Sequence, residues 1–295
     1  MNVYDENGMI PDFFTYIWAI ENCPMFLTSD GIKSPIFEVN SLEKTKWNLA
    51  IKETTGEHFP YFIQRVDDSG PESIEIFLEL SFLSAEGFCL NSKRHRRHFK
   101  VDDFLECAAS TDYVFRLHKV QYVVNDTLTL RCRMRTVKID IPQRNLCFAR
   151  TRLGLERRTL FWDLRNFSTL QFGHEIKYLI ESLIEGVPPL NLALFVDEVS
   201  GVEYVIVKFF KSNSTKFLRF NCVVSILDVN GNKRLSSHFE DLSNSSERSL
   251  KLFEKTKIME GKAYLLPNDS LSLRCEFKIG SGVIWSEIEF YVYSP

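Results

Sequence analysis

Side chains able to do chemistry are plentiful in this chain, but their spacing completes no familiar catalytic or metal-binding pattern. His95 and His98 stand three residues apart within Lys93-Arg94-His95-Arg96-Arg97-His98. Two ligands of a metal ion could share that spacing, yet no Cys or carboxylate cluster completes the set. His58, His118, His174 and His238 are scattered and read as surface or loop histidines. No GxSxG, HExxH, CxxC or P-loop segment occurs. The cysteines (Cys23, Cys89, Cys107, Cys132, Cys147, Cys222 and Cys275) are odd in number and form no CxxC pair. Cys132, Cys222 and Cys275 fall on apolar faces of alternating segments, which predicts buried free thiols. Acidic pairs such as Asp102-Asp103 read as turn residues. The basic run fits a nuclear import signal or a patch for an acidic partner, but a solvated hairpin loop is the expectation. The residues therefore predict no catalytic group, no metal site and no cofactor.

The bulk composition narrows the remaining classes. Hydrophobic residues make up 44% and charged residues 25%, as in packed globular chains. A net charge of −3 gives no global electrostatic case for nucleic acid or a membrane surface. No apolar run is long enough to span a bilayer, and the acidic start has no apolar signal core. A cytoplasmic or nuclear protein is expected.

The elements behind these residues show a repeat. Asn125–Met134 reads NDTLTLRCRM and Asn268–Phe277 reads NDSLSLRCEF. Each is a polar turn followed by strict alternation, the period of a strand with one buried face. Leu128, Leu130, Cys132 and Met134 share one face of the first copy. Leu271, Leu273, Cys275 and Phe277 share that of the second. Trp18 and Asn22 recur as Trp162 and Asn166, Asn48-Leu49-Ala50-Ile51 as Asn191-Leu192-Ala193-Leu194, Tyr61 as Tyr204, and Gly87 as Gly231. The offset holds at 143 or 144, the length of a domain and not of a solenoid repeat.

Many short alternating segments bounded by turn signals predict an all-β chain of two tandem antiparallel eight-stranded sandwiches. The expected layout is a flexible lead at 1–12, sandwich one at 13–136 and a partly packed linker at 137–158. Sandwich two follows at 159–280, with a tail at 281–295. Residues 178–184 fit either a strand or a short helix. Trp18, Trp47 and Trp162 sit in apolar strand patterns and are expected in the core.

The motif order resembles the MATH (TRAF-C-like) domain, as found in speckle-type POZ proteins. The carriers are Tyr16-Ile17-Trp18-Ala19-Ile20-Glu21-Asn22, Lys46-Trp47-Asn48-Leu49, Phe82-Leu83-Ser84-Ala85-Glu86-Gly87 and the Asn125 stretch. In the second copy they are Phe161-Trp162-Asp163-Leu164-Arg165-Asn166-Phe167, Ile226-Leu227-Asp228-Val229-Asn230-Gly231 and the segment from Leu266 to Leu271. The resemblance implies a shallow groove, lined by aromatic side chains, that captures short Ser/Thr-rich peptides of partner proteins. Carried across, the groove positions fall at Tyr61, Leu78, Phe99 and Tyr113 in the first copy, and at Tyr204, Cys222, Phe239 and Leu250 in the second. Leu78 and Cys222 replace an aromatic. The family's Trp-Gly-Phe segment is absent, its place taken by Thr111-Asp112-Tyr113 and Arg248-Ser249-Leu250.

Those features predict a non-enzymatic interaction protein, a substrate-recognition adaptor linked to ubiquitin-dependent turnover. No BTB domain follows residue 280, so the ligase subunit is expected on another chain. The alternatives are a scaffold with non-binding grooves, or a piece of a longer MATH-BTB adaptor. Tyr61 reads equally as a groove residue and as a structural tyrosine.

Overall fold

The computed structural model describes residues 13–23, 31–52, 57–136, 145–181, 189–211, 220–240 and 247–292. The expected lead at 1–12 and residues 137–144 of the expected linker lie outside them. The chain is all-β apart from short helical turns. It divides into two compact units, Met1–Gly154 with Gly282–Pro295, and Leu155–Ser281.

In the first unit the strands are β1 (Phe14–Glu21), β2 (Ile32–Lys33), β3 (Phe37–Val39), β4 (Thr45–Ile51), β5 (His58–Val66), β6 (Ser73–Leu83), β7 (Cys89–Lys100) and β8 (Phe104–Ser110). A helical turn over Tyr113–Leu117 and the short α1 (Lys119–Tyr122) lead to β9 (Val123–Val124) and β10 (Thr127–Thr136). One sheet runs β1–β10–β6–β7 and the other β2–β4–β5–β8, with β3 on β4. Then follow β11 (Leu146–Leu164), β12 (Ile176–Ile180), β13 (Leu190–Val199), β14 (Val202–Lys211), β15 (Phe220–Leu227), β16 (Lys233–Glu240) and β17 (Glu247–Glu254). After α2 (Lys255–Glu260) and α3 (Lys262–Leu265), β18 (Leu271–Val292) is the last strand. The second unit's sheets run β11–β18–β15–β16 and β12–β13–β14–β17. Residues 176–180 are thus a strand and not a helix.

The repeated ten-residue stretches form β10 and the start of β18. Both bury alternate residues: Leu128, Leu130, Cys132 and Met134 in one, Leu271, Leu273, Cys275 and Phe277 in the other. The turns before them match in conformation. Asn125 and Asp126 have φ of 50° and 58°, and Asn268 and Asp269 have 54° and 59°. Asn and Asp reach this left-handed region at low cost because their side chains bond locally. Asn22 and Asn166 (φ 60° and 56°) form a second matched pair, and Gly87 and Gly231 (80° and 78°) a third. Trp18, Trp47 and Trp162 are buried as expected.

Cys132 and Cys275 are fully buried free thiols. Burial pushes the Cys275 thiol up to about 12 and Cys132 well above its usual range. Replacing either with Ser should cost about 1–3 kcal/mol, because the hydroxyl gains no partner on an apolar face. Native-state thiol labelling should leave both unmodified; fast labelling of either would show that its strand face is open.

Two expectations fail at the boundary between the units. The expected linker, 137–158, ends in strand: residues 146–152 of β11 pair in parallel with β1, from Thr15↔Leu146 to Glu21↔Arg152. The expected tail, 281–295, is also strand as far as Val292 and from Gly282 onward belongs to the first unit. There Ser286 Oγ meets Thr151 Oγ at 2.8 Å, and Arg150 pairs with Glu289 at 2.8 Å. Phe290 stacks on Phe148 at 5.3 Å, and the Tyr291 hydroxyl donates to the Glu38 carbonyl.

A buried ion pair fixes the turn between β5 and β6. Arg65, fully buried, donates from Nε and Nη2 to Asp68 at 2.9 and 2.8 Å, and to the carbonyls of Phe99 (2.9 Å) and Pro71 (2.6 Å). The Asp68 carboxylate also accepts from the backbone N–H of Lys46 (3.1 Å) and Gly70 (2.8 Å). Gly70 permits this approach. A Cβ there would lie 2.9 Å from Thr45 Cγ2 and 3.0 Å from Asp68 Oδ1.

Candidate peptide-binding site

Among the described residues, strands β7 and β8 each end one of the first unit's sheet paths. The hydrogen bonds Thr111 N to Glu57 O and Arg65 N to Asp103 O fix the phase of the β5–β8 ladder. In an antiparallel pair, bonded and non-bonded positions alternate. The odd-numbered residues of β8 therefore bond β5, and the N–H and C=O of Glu106 and Ala108 point outward. Both residues are exposed, so among the described residues β8 presents an unpaired backbone edge to which an extended segment could add.

Beside this edge the register assembles four side chains. Tyr61 of β5 pairs with Cys107 of β8, and Leu78 of β6 pairs with His95 of β7. Cys107 Sγ lies 3.6 Å from His95 Nε2 across the two edges. Tyr61 is 1% exposed, and its hydroxyl has no hydrogen-bond partner of normal geometry among the described residues. Burial pushes its phenol well above the usual range, with the adjacent Cys107 adding to the shift. Burial also raises the Cys107 thiol, against an opposing effect of Lys93. Burial thus favours the neutral thiol beside the His95 ring. Among the described residues no three His, Cys, Asp or Glu are placed to hold a metal ion.

Only part of the predicted groove is brought together. Tyr61 and Leu78 are both buried, so neither is an exposed anchor. Tyr61 packs on Phe82 at 5.0 Å and Phe82 on Tyr122 at 5.7 Å. Tyr122 meets Tyr113 edge-on at 6.0 Å. Tyr113 is 45% exposed on the turn after β8, its ring 4.1 Å from that of His118. Phe99 sits elsewhere, buried edge-on against Trp47 at 5.1 Å.

In the second unit the register moves three expected positions, Tyr204, Phe239 and Leu250. Ile51 stands opposite Tyr61, and its repeat partner Leu194 stands opposite Val207. Val207, not Tyr204, therefore holds the place of Tyr61. The β13–β14 hairpin continues to Val199↔Val202 around a Ser200-Gly201 turn, which displaces Tyr204 toward the turn. There the Lys251 Nζ lies 5.7 Å from its ring centroid. Leu78 and Cys222 do correspond, since Met134 and Phe277 face them. Across the next ladder Cys222 pairs with Phe239, which puts Phe239 in the place of His95 and not of Phe99. Leu250, opposite Val207, matches Cys107. The second unit thus has Val207, Cys222, Phe239 and Leu250 where the first has Tyr61, Leu78, His95 and Cys107. Phe239 stacks on Phe209 at 4.8 Å and closes this set over the core.

His95 escaped the sequence reading because the basic run is expected to be a loop. Residues 93–98 lie inside β7, where alternation separates Lys93, His95 and Arg97 from Arg94, Arg96 and His98.

No protein-family model matches the chain, and no curated protein matches it. Among solved structures, a β-glucuronidase from Parabacteroides merdae is 8% identical over 80% of this chain and 28% of that one, with a TM-score of 0.18. A second structure of that enzyme, with glycerol in its active site, is 8% identical over 81% and 27%, with a TM-score of 0.17. This chain spans under a third of that enzyme's length, and at these TM-scores the likeness carries no argument about fold or activity. Among the described residues no helix is long and apolar enough to cross a membrane.

Proposed function

We propose that the protein is a non-enzymatic binding protein of two MATH-like β-sandwiches, in which the first captures extended segments of partner proteins. Two four-stranded paths of the same order in each unit, and the matched turns at Asn125/Asn268, Asn22/Asn166 and Gly87/Gly231, support the duplicated sandwich. The observation that carries the binding reading is the outward backbone of Glu106 and Ala108 beside the Tyr61–Leu78–His95–Cys107 set. An added strand would gain hydrogen bonds from that edge, and Cys107, His95 and Tyr113 would meet its side chains. Short Ser/Thr-rich segments suit such a site, since their hydroxyls can reach His95 and the backbone. The second unit supplies structure, because Phe239 fills the corresponding place. A link to ubiquitin-dependent turnover is part of the same reading.

Ala108→Pro tests this directly. Its N–H faces away from β5, so proline removes an outward donor without breaking the ladder. In titrations of Ser/Thr-rich peptides selected from an array, the variant should bind about tenfold more weakly while melting like wild type. Equal affinity would remove β8 from the site. If no peptide in a broad array binds the wild type, the scaffold reading takes its place.

A further inference from the structure

The outer face of β10–β6–β7 carries a charge imbalance that neither the fold nor the groove consumes. Glu79 stands between Arg133 and Arg94, and Phe77 between Arg135 and Arg96, in adjacent rows of the same ladders. Glu79 accepts from Arg94 at 2.7 Å and from Arg131 at 2.5 Å, with Arg133 at 4.0 Å. Glu75 takes Arg96 at 2.9 Å, with His98 at 3.8 Å. Arg135 has no carboxylate partner among the described residues. Its guanidinium lies 4.4 Å from the Phe77 ring centroid and 5.5 Å from that of Phe13, and its Nε is buried without an acceptor. Among the described residues, the carboxylates paired with Arg94, Arg96, Arg131 and Arg133 are those of Glu75 and Glu79, and Arg135 is paired with neither. Burial, then the like charge of Arg96, holds the Arg135 acid constant below its usual range; burial and Arg131 do the same to Arg133. A bound anion would relieve both.

We propose that this face docks an acidic polypeptide segment whose two or three anionic side chains fall within the roughly 10 Å spanned by three strands. Carboxylates and phosphates share the required chemistry. Nucleic acid fits less well. Guanidinium groups of Arg96 and Arg135 both lie over the Phe77 ring, at 5.0 and 4.4 Å, and would compete with a base for it. Glu75 and Glu79 would repel a continuous phosphate backbone.

The experiment is fluorescence anisotropy on the full chain at low ionic strength. The probes are a labelled Gly/Ser peptide bearing three glutamates, the same peptide with three phosphoserines, the same with three glutamines, and a single-stranded oligonucleotide of matched length. One or both acidic peptides should bind and the glutamine peptide should not; the preferred one identifies the source of the anion. Arg135→Gln should weaken binding about tenfold, with a melting temperature equal to or above wild type because a repulsion is removed. Arg94→Gln, on the exposed edge strand, is the second variant and should also weaken it. Ala108→Pro should have no effect, which separates this face from the β8 edge. Acidic peptides that bind no better than glutamine, wild-type affinity in both arginine variants, loss on Ala108→Pro, or tighter Arg135-dependent binding of the oligonucleotide would each overturn the proposal.

Discussion

Replacing Asp68 with Ala is expected to lower the stability of the first unit by about 3–5 kcal/mol, the scale for stranding one member of a buried ion pair. The guanidinium of Arg65 would stay in place with the Phe99 and Pro71 carbonyls as its remaining acceptors. The N–H groups of Lys46 and Gly70 would lose their acceptor as well. Denaturant titration followed by hydrogen exchange in β5 and β6 measures the loss; a shift below about 1 kcal/mol would mean the pair is solvated. The pH dependence has a defined sign. The bond from Arg65, with the Lys46 and Gly70 N–H groups, holds the Asp68 carboxyl down at about 2 from an ordinary 3.8. A carboxyl depressed in the folded state contributes stability in full above its unfolded value, and loses it as pH falls through its folded one. The gap between wild type and Asp68→Asn should therefore close between about pH 4 and about pH 2. A constant gap across that window would contradict the assignment.

Ending the chain after Ser281 should destabilise the first unit while sparing the second. The residues removed include Phe290 on Phe148, Tyr291 on Phe14 at 6.3 Å, and the Ser286–Thr151 and Glu289–Arg150 contacts, all within the first unit. Losing such packing should cost about 3–5 kcal/mol, comparable with truncating a large buried aromatic. Hydrogen exchange should accelerate in β1 and residues 146–152 and hold steady in β13 and β14. Uniform acceleration in both units, or none, would show that residues 282–292 do not stabilise the first unit separately.

What could be read from the sequence is what local physics determines. Alternation in NDTLTLRCRM and NDSLSLRCEF gave both strands and their buried faces, and the Asn-Asp and Gly positions gave the turns. Pairing across strands was harder to read. Tyr204 shares an offset with Tyr61, but an offset counts residues along the chain, whereas position in a sheet is set by register. Residues 146–153 do alternate, yet their inner face is Cys147, Ala149, Thr151 and Leu153. The first three are small or polar enough to hide a strand that pairs in parallel with β1. The basic run looked solvated because charge density suggests a loop; Glu75 and Glu79 on β6 are what let it lie in a sheet.

β11 begins in the first unit and ends in the second, and β18 makes the return journey. During synthesis this imposes an order. Residues 13–136 can leave the ribosome and collapse into their own sheets, as N-terminal domains generally do. The segment 282–292 that lies along β11 is translated only after the whole of Leu155–Ser281. Until then residues 146–152 have β1 on one side and an unpaired backbone on the other. The nascent first unit therefore exposes a strand edge for as long as the second takes to be made, and that interval is when a chaperone, or a neighbouring nascent chain, would find it.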